Sequence, residues 1–510
     1  MGRLGYLFLI FCGLFVQGQL QLSPLFSDHM LLQQQSEAAI WGTTEPNATV
    51  TITVDWCVKP TTTVADASGS WKTTIKTTQG TFVPHWIRLE SGREKLELKD
   101  VLIGEVWLSS GQSNMELVMR RVEQAETEIQ KANKPFIRLF QVKRGTASEP
   151  QFSFPSGSKW AVCTPESVKE FSAMSYYYAC KLQEKLQIPV GIINANWGGT
   201  GAESWTPATS MNSEPKLASV YDRWKLWETN RTTDSLAYDQ LKLSNPKAEL
   251  PRSLYMLKRL HRRPSVLFNA MIHPIIPYTI KGFIWYQGTS NREWAYEYTD
   301  QMKALITGWR QSWANAKLPF YFLQLTAYGY SDSHLANVIR ESQVQTLQLP
   351  YTALATTLDL GDMGELHPKN KKPFGERLAA IALNETYQQN KDLYCGPLLV
   401  KTKFKKGKAI LRFKHDEWLQ IATDTPKSLY IAGEDQHFYP ATAFLKKKLL
   451  YVYANEVPHP VAVRYNWNNC PQTYLFNAAN LPASPFRTDQ WNEVRIPEWA
   501  IPVSTTPNQD

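Results

Sequence analysis

Residues 104–115 read Gly104-Glu105-Val106-Trp107-Leu108-Ser109-Ser110-Gly111-Gln112-Ser113-Asn114-Met115, and this stretch decides the fold. Val106-Trp107-Leu108 is a short apolar run of the kind that lies inside a sheet. Gly111-Gln112-Ser113 then reads as a turn, and the following residues as a helix through Arg120 to Lys131. A serine at such a junction is held above the edge of the sheet. The helix start beside it presents N–H groups that favour a developing negative charge. Serine is also an ordinary N-cap, so this block takes its meaning from what surrounds it.

Outward from this stretch, strand candidates alternate with helical ones. Residues 189–194 form a second strand candidate, preceded by a helix around Tyr177 to Leu186. Residues 280–286 form a third, followed by a helix from about Tyr296 to Trp313. Residues 320–325 form a fourth, with a helix near 336–347. This alternation predicts an α/β domain with a parallel sheet over residues 101–392. Residues 211–260 are polar and helix-leaning and read as an insertion. On the N-terminal side, residues 19–100 carry β-type runs such as 48–54 and 70–75 and predict a β-sandwich-like module. Residues 393–510 are β-like again, with strand candidates at 399–404 and 449–453.

The whole chain has 510 residues, 43% hydrophobic and 20% charged, which is globular composition with room for several domains. Lys plus Arg is 55 against 46 for Asp plus Glu, a net charge of +9. The basic residues that cluster, Lys405-Lys406-Gly407-Lys408 and Lys446 to Lys448, read as solvated edges, so no nucleic-acid partner is expected. Residues 1–18 have the form of a secretory signal peptide. Arg3 precedes an apolar core over 7–16, and Val16-Gln17-Gly18 gives a polar, small-residue exit. No later stretch reads as a membrane span, so the expected location is periplasmic or secreted, or lysosomal in a eukaryote. Five cysteines follow this segment: Cys57, Cys163, Cys180, Cys395 and Cys470. They lack metal-ligand spacing and allow one disulfide at most as an expectation. No HExxH is present, and neither a metal nor another cofactor is expected.

Three more blocks carry polar chemistry beside the strands. Trp197-Gly198-Gly199-Thr200-Gly201 follows the second strand, and its glycines let backbone N–H groups approach a ligand. Gln287-Gly288-Thr289-Ser290-Asn291 follows the third and brings two amide side chains. Glu365-Leu366-His367-Pro368 comes after the fourth and places a carboxylate two residues from a histidine. Ser, His and acid in these roles make a nucleophile, a base and a group that orients the base.

In this order the blocks resemble the SGNH hydrolase superfamily, and more narrowly the sialate O-acetylesterase family of carbohydrate esterases. The resemblance extends over almost the whole chain after residue 18, from Asp28-His29-Met30-Leu31-Leu32-Gln33 to Leu481-Pro482-Ala483-Ser484-Pro485-Phe486-Arg487-Thr488-Asp489. It implies an SGNH-type three-layer core and deacetylation of O-acetylated sugars. It further implies Ser113 as nucleophile, His367 as general base and Glu365 as the acid, with Asp359 and Asp362 as alternatives. The implied oxyanion hole comprises the Ser113 N–H, an N–H of Gly198 or Gly199, and the amide of Gln287 or Asn291. The family commonly has Asp where this chain has Glu365, and Glu where it has Thr289. Trp197, Trp205, Trp285 and Trp294 flank the motif loops and are candidates for stacking on a sugar. Arg487 is a candidate for pairing with a sugar carboxylate. The expected partner is an O-acetylated glycan: acetylated sialic acid first, with acetylated xylan or another plant glycan second. A non-catalytic glycan-binding protein is the reading of another class.

Overall fold

The computed structural model describes residues 19–330, 335–389, 393–423 and 426–491. The signal-type segment 1–18 lies outside the described residues.

The core strands are β1 (Glu94–Gly111), β2 (Lys134–Gln141), β3 (Lys159–Cys163), β4 (Val190–Asn196), β5 (Gly282–Tyr286), β6 (Phe320–Leu323) and β7 (Thr352–Ala355). The helices that concern the site are α1 (Ser113–Glu116), α2 (Ala173–Leu186), α3 (Ala218–Ser244), α4 (Tyr298–Ser312), α5 (Leu335–Thr346) and α6 (Lys372–Glu385). The strands lie in the order β3-β2-β4-β1-β5-β6-β7. All neighbours are parallel except β3, which runs antiparallel to β2 at one edge. The four strands expected from the sequence are thus the four central neighbours β4, β1, β5 and β6.

Alternation along the strands builds the layers, because successive side chains point to opposite faces. Val106 and Leu108 face one way with Phe283, Trp285, Phe320 and Phe322, and pack on Tyr298, Met302, Leu305 and Trp309 of α4 and Ile339 of α5. Trp107 faces the other way with Ile192, Ile284, Tyr321 and Leu323, and packs on Tyr178 and Leu182 of α2 and Leu378 and Ile381 of α6. This is the three-layer α/β core that the sequence predicts.

Two features depart from the sequence reading. The helix expected over Arg120 to Lys131 is a 3-10 turn, Met119–Arg121, and a short helix, Ala125–Gln130. Gln124 between them is left-handed at φ 54, which interrupts any continuous helix. Strands β2, β3 and β7 were not anticipated. The five described cysteines are free thiols.

The flanking β regions join the core through shared elements. The first part of β1 pairs antiparallel with His85–Ser91 and parallel with Leu31–Gln33, so one strand runs from the N-terminal β region into the central sheet. After the core, two four-stranded sheets enclose Leu411, Phe413, Ile431, Val452 and Val463. The insertion is helical. Helix α3 buries Val220, Trp224 and Trp227 against Met256 and Leu257 and leaves most of its surface polar.

Candidate active site

The site forms where β1, β4 and β5 end. At the last residue of β1, Gly111 has φ +147, and a Cβ there would lie 2.2 Å from the Tyr286 carbonyl oxygen at the end of β5. Only glycine permits this approach without displacing backbone. The next residue, Gln112, donates its N–H to the same carbonyl at 3.1 Å. The chain then turns directly into α1, whose first residue is Ser113.

His367 sits in the loop before α6, and its Nε2 is 2.8 Å from Ser113 Oγ. Three further contacts set this pair. Glu365 Oε1 accepts the His367 backbone N–H at 2.9 Å. Asn114 Nδ2 donates to the Leu366 carbonyl at 3.1 Å. Lys371 Nζ donates to Asn114 Oδ1 at 2.5 Å. Lys371 is only 1% exposed. Burial pushes its ammonium down to about 7, and the Glu365 carboxylate opposes that shift. Asp359 is held elsewhere, in a two-pronged pair with Arg377 at 2.7 and 2.6 Å. Asp362 Oδ1 accepts the Gly364 N–H at 2.7 Å.

The glycine loop after β4 lies against the serine: a Cβ on Gly198 would stand 3.3 Å from Ser113 Cβ. The Gly198 N–H donates to Glu116 Oε2 at 2.8 Å. Glu116 is one turn after Ser113 and is paired with Arg144, whose Nε donates to Glu116 Oε1 at 3.0 Å. Gly199 has φ +70, and the Arg262 guanidinium stands 3.0 Å from where its Cβ would be.

The two amide candidates are drawn into a buried network instead. Gln287 Nε2 donates to Thr200 O at 3.2 Å and to Asn291 Oδ1 at 2.6 Å. Gln287 Oε1 accepts from Tyr298 at 2.8 Å. Asn291 Nδ2 donates to Glu203 Oε2 at 2.8 Å. Burial pushes the Glu203 carboxyl up, and the Asn291 bond draws it back. Both N–H groups of Gln287 are therefore used, and Asn291 is turned toward Glu203. Gln287 and Asn291, the amide candidates for the oxyanion hole, thus bond to Thr200, Tyr298 and Glu203 in this structure.

The aromatic candidates divide. Trp205 and Trp285 are 0% exposed and belong to the core, so neither lines a pocket. Trp197 is partly exposed beside Gly198. His261 stacks on it at 4.7 Å and Arg144 lies 5.3 Å over its ring. Trp294 is enclosed by Arg223 and Arg252, at 4.4 and 5.8 Å, and packs toward Trp227 of the insertion. Arg487 is occupied by a two-pronged ion pair with Glu341, 2.9 Å for each bond, which corrects its reading as a sugar-carboxylate ligand.

Sequence reasoning did not single out Asn114, Glu116, Arg144, Arg262 or Lys371. Asn114 and Glu116 stand inside or next to the serine block, and their i+1 and i+3 spacing from Ser113 was the available signal. Arg144 and Arg262 come from loops whose proximity only the fold supplies.

A family model described as carbohydrate esterase, sialic acid-specific acetylesterase, matches residues 256–384. The chain is similar to mouse sialate O-acetylesterase, 27% identical over 91% of this chain and 94% of the relative. The human sialate O-acetylesterase is also 27% identical, with 91% of each chain covered. Among solved structures, a carbohydrate acetylesterase from Xanthomonas citri is 32% identical and superposes with a TM-score of 0.80, over 92% of this chain and all of that one.

Proposed function

The chain belongs to the sialate O-acetylesterase family of carbohydrate esterases, and from that premise we propose that it removes O-acetyl groups from sugars through an acetyl-serine intermediate on Ser113. The observation that carries this reading is the 2.8 Å contact between Ser113 Oγ and His367 Nε2 at the end of a parallel sheet. In the first step His367 takes the Ser113 proton as Oγ bonds to the acetyl carbonyl carbon. The carbon–oxygen bond to the sugar then breaks, and His367 returns the proton to the departing sugar oxygen. Water, deprotonated by His367, adds to the acetyl-serine, and acetate leaves as Ser113 regains its proton. Glu365 holds the histidine loop through the His367 backbone N–H and serves as the acid of the set.

The oxyanion is assigned in this reading to two backbone N–H groups. The Ser113 N–H opens α1 and so has no partner within its own helix. The Gly198 N–H already accommodates an anionic oxygen, that of Glu116. In this account the acetyl oxygen replaces Glu116 there, and Glu116 stays with Arg144. Oxyanion donors of this kind contribute roughly a hundred- to a thousandfold in rate.

The favoured substrate is an acetylated acidic sugar, sialic acid first. Trp197 beside the serine carries His261 on its ring and Arg144 over it, and Arg262 crowns Gly199. The aromatic surface of Trp197 suits stacking on a sugar, and the likeness to mouse and human sialate O-acetylesterase supports sialic acid as that sugar. The likeness to the Xanthomonas carbohydrate acetylesterase supports a second reading, in which a neutral glycan such as acetylated xylan is the substrate. The signal-type segment at 1–18 supports export of the enzyme. Among the described residues no helix is long and apolar enough to cross a membrane.

Acetate release from acetylated sialosides and acetylated xylo-oligosaccharides, with wild type beside Ser113→Ala, tests the proposal. Release from sialosides that is lost in the variant is expected. Preference for xylo-oligosaccharides would select the second reading. No release from either by folded wild type would leave glycan binding without catalysis.

A further inference from the structure

We propose that Lys371 is a positioning residue for the Ser113–His367 pair: its buried ammonium fixes the Asn114 amide that ties the serine turn to the histidine loop. The inference rests on the catalytic reading of that pair given above.

Asn114 follows the nucleophile and Leu366 precedes the histidine, so the bond from Asn114 Nδ2 to Leu366 O, 3.1 Å, spans the two segments that carry the chemistry. An amide can turn over and exchange its donor and acceptor ends. Here the orientation is set by Lys371, whose Nζ donates to Asn114 Oδ1 at 2.5 Å. Without that donor, Oδ1 is a buried acceptor left unpaired in this orientation. The Asn114 amide then loses its reason to present Nδ2 to Leu366, and the separation of Ser113 and His367 is no longer fixed.

The surroundings of Lys371 support a positioning role over a packing one. Its side chain is 1% exposed, and burying an ammonium is costly. An apolar chain of similar volume would fill the same space without that cost. Glu365 is the charged group facing it from the histidine loop, Asn114 meets it from α1, and the Phe374 ring of α6 lies 5.0 Å from Nζ. Glu365 also accepts the His367 N–H. The ammonium therefore touches or attracts both groups that locate the histidine, Asn114 through a hydrogen bond and Glu365 through charge.

The experiment compares wild type, Lys371→Met, Asn114→Ala and the double variant on a chromogenic acetyl ester. Rates are expressed per serine titrated with an organophosphonate, so that misfolded protein does not count. Lys371→Met is expected to lower kcat roughly tenfold to a hundredfold, the effect of a small misplacement of reacting groups. KM should stay within about twofold, because the contact does not hold substrate. Asn114→Ala should show the same split, and the double variant should fall no further than the worse single one, since both act through one contact. A Lys371→Met enzyme with wild-type kcat per titrated serine would overturn the inference alone. So would losses that multiply independently in the double variant. Wild type that is not labelled at Ser113 would overturn the serine reading, and this inference with it.

Discussion

At the scale of residues, Ser113 and His367 are 254 positions apart in the chain and 2.8 Å apart in the fold. Neither block is decisive alone, since a serine there can be an ordinary N-cap; the sequence singled the two out through the order of the four blocks beside strand ends. The supporting residues were less legible, for a physical reason. A tryptophan looks the same in sequence whether it fills a core, as Trp205 and Trp285 do, or borders a site, as Trp197 does. An amide likewise does not declare its partner, and Gln287 and Asn291 spend their donors on a buried network. The acids can be separated by substitution. Asp359→Asn weakens the pair with Arg377 and should cost about 1 kcal/mol of stability at most, with kcat retained. Glu365→Ala should lower kcat by about tenfold or more, because it releases the loop that carries His367, the proposed base. Steady-state kinetics beside urea unfolding distinguishes the two. Equal kinetic losses in both variants would contradict the assignment. Lys371 adds a pH signature. Its pKa falls from 10.5 to about 7 on folding. Between those values the unfolded chain holds a proton that the folded chain has released, so raising the pH favours the fold. The stability of wild type relative to Lys371→Met should therefore rise from pH 7 toward pH 10. A gap that stays constant over that window would show that the group is not depressed.

At the scale of elements, the central strands were readable because they are apolar runs bounded by turns. Strands β2 and β7 are as well buried, at Ile137 to Phe140 and Ala353 to Ala355. Arg138 interrupts the apolar run of β2, and β7 is only four residues long, so neither stood out as an apolar segment. The helix after Ser113 is shorter than expected, because residue propensity does not reveal the left-handed Gln124. Gly111 shows the converse, a local requirement that the sequence states openly. Its φ of +147 and the 2.2 Å approach of a Cβ to Tyr286 O leave no room for a side chain. Gly111→Ala should destabilise the protein by about 2 kcal/mol or more and lower activity with it, since β1 can no longer lie against β5 in this register. Thermal unfolding measures this. An unchanged Tm would mean that the turn relaxes without strain.

At the scale of the whole molecule, the β regions are tied into the catalytic core by particular contacts. Arg340 of α5 is fully buried and donates to Leu325 O, Thr326 O, Asn468 O and Asn469 O at 2.7 to 2.8 Å. One guanidinium thus joins the loop after β6 to the C-terminal segment. Arg340→Met leaves these carbonyls without that donor and should cost about 3 kcal/mol. Earlier proteolysis within residues 393–491 would report the loosened junction. Cleavage at the wild-type rate would contradict the tie. The β-rich character of the regions on either side of the α/β core could be anticipated from the β-type runs along the chain. The long-range contacts could not, since nothing near Arg340 in sequence names residues 468 and 469. The proposed reaction passes through an acetylated Ser113. The most direct test is rapid quenching during hydrolysis of an acetylated sialoside, followed by mass analysis of the peptide that contains residues 111–116. This peptide is expected to carry the mass of one acetyl group during turnover and to lose it when substrate is exhausted, with no adduct in Ser113→Ala. Acetate release at an undiminished rate by Ser113→Ala would contradict the proposed reaction.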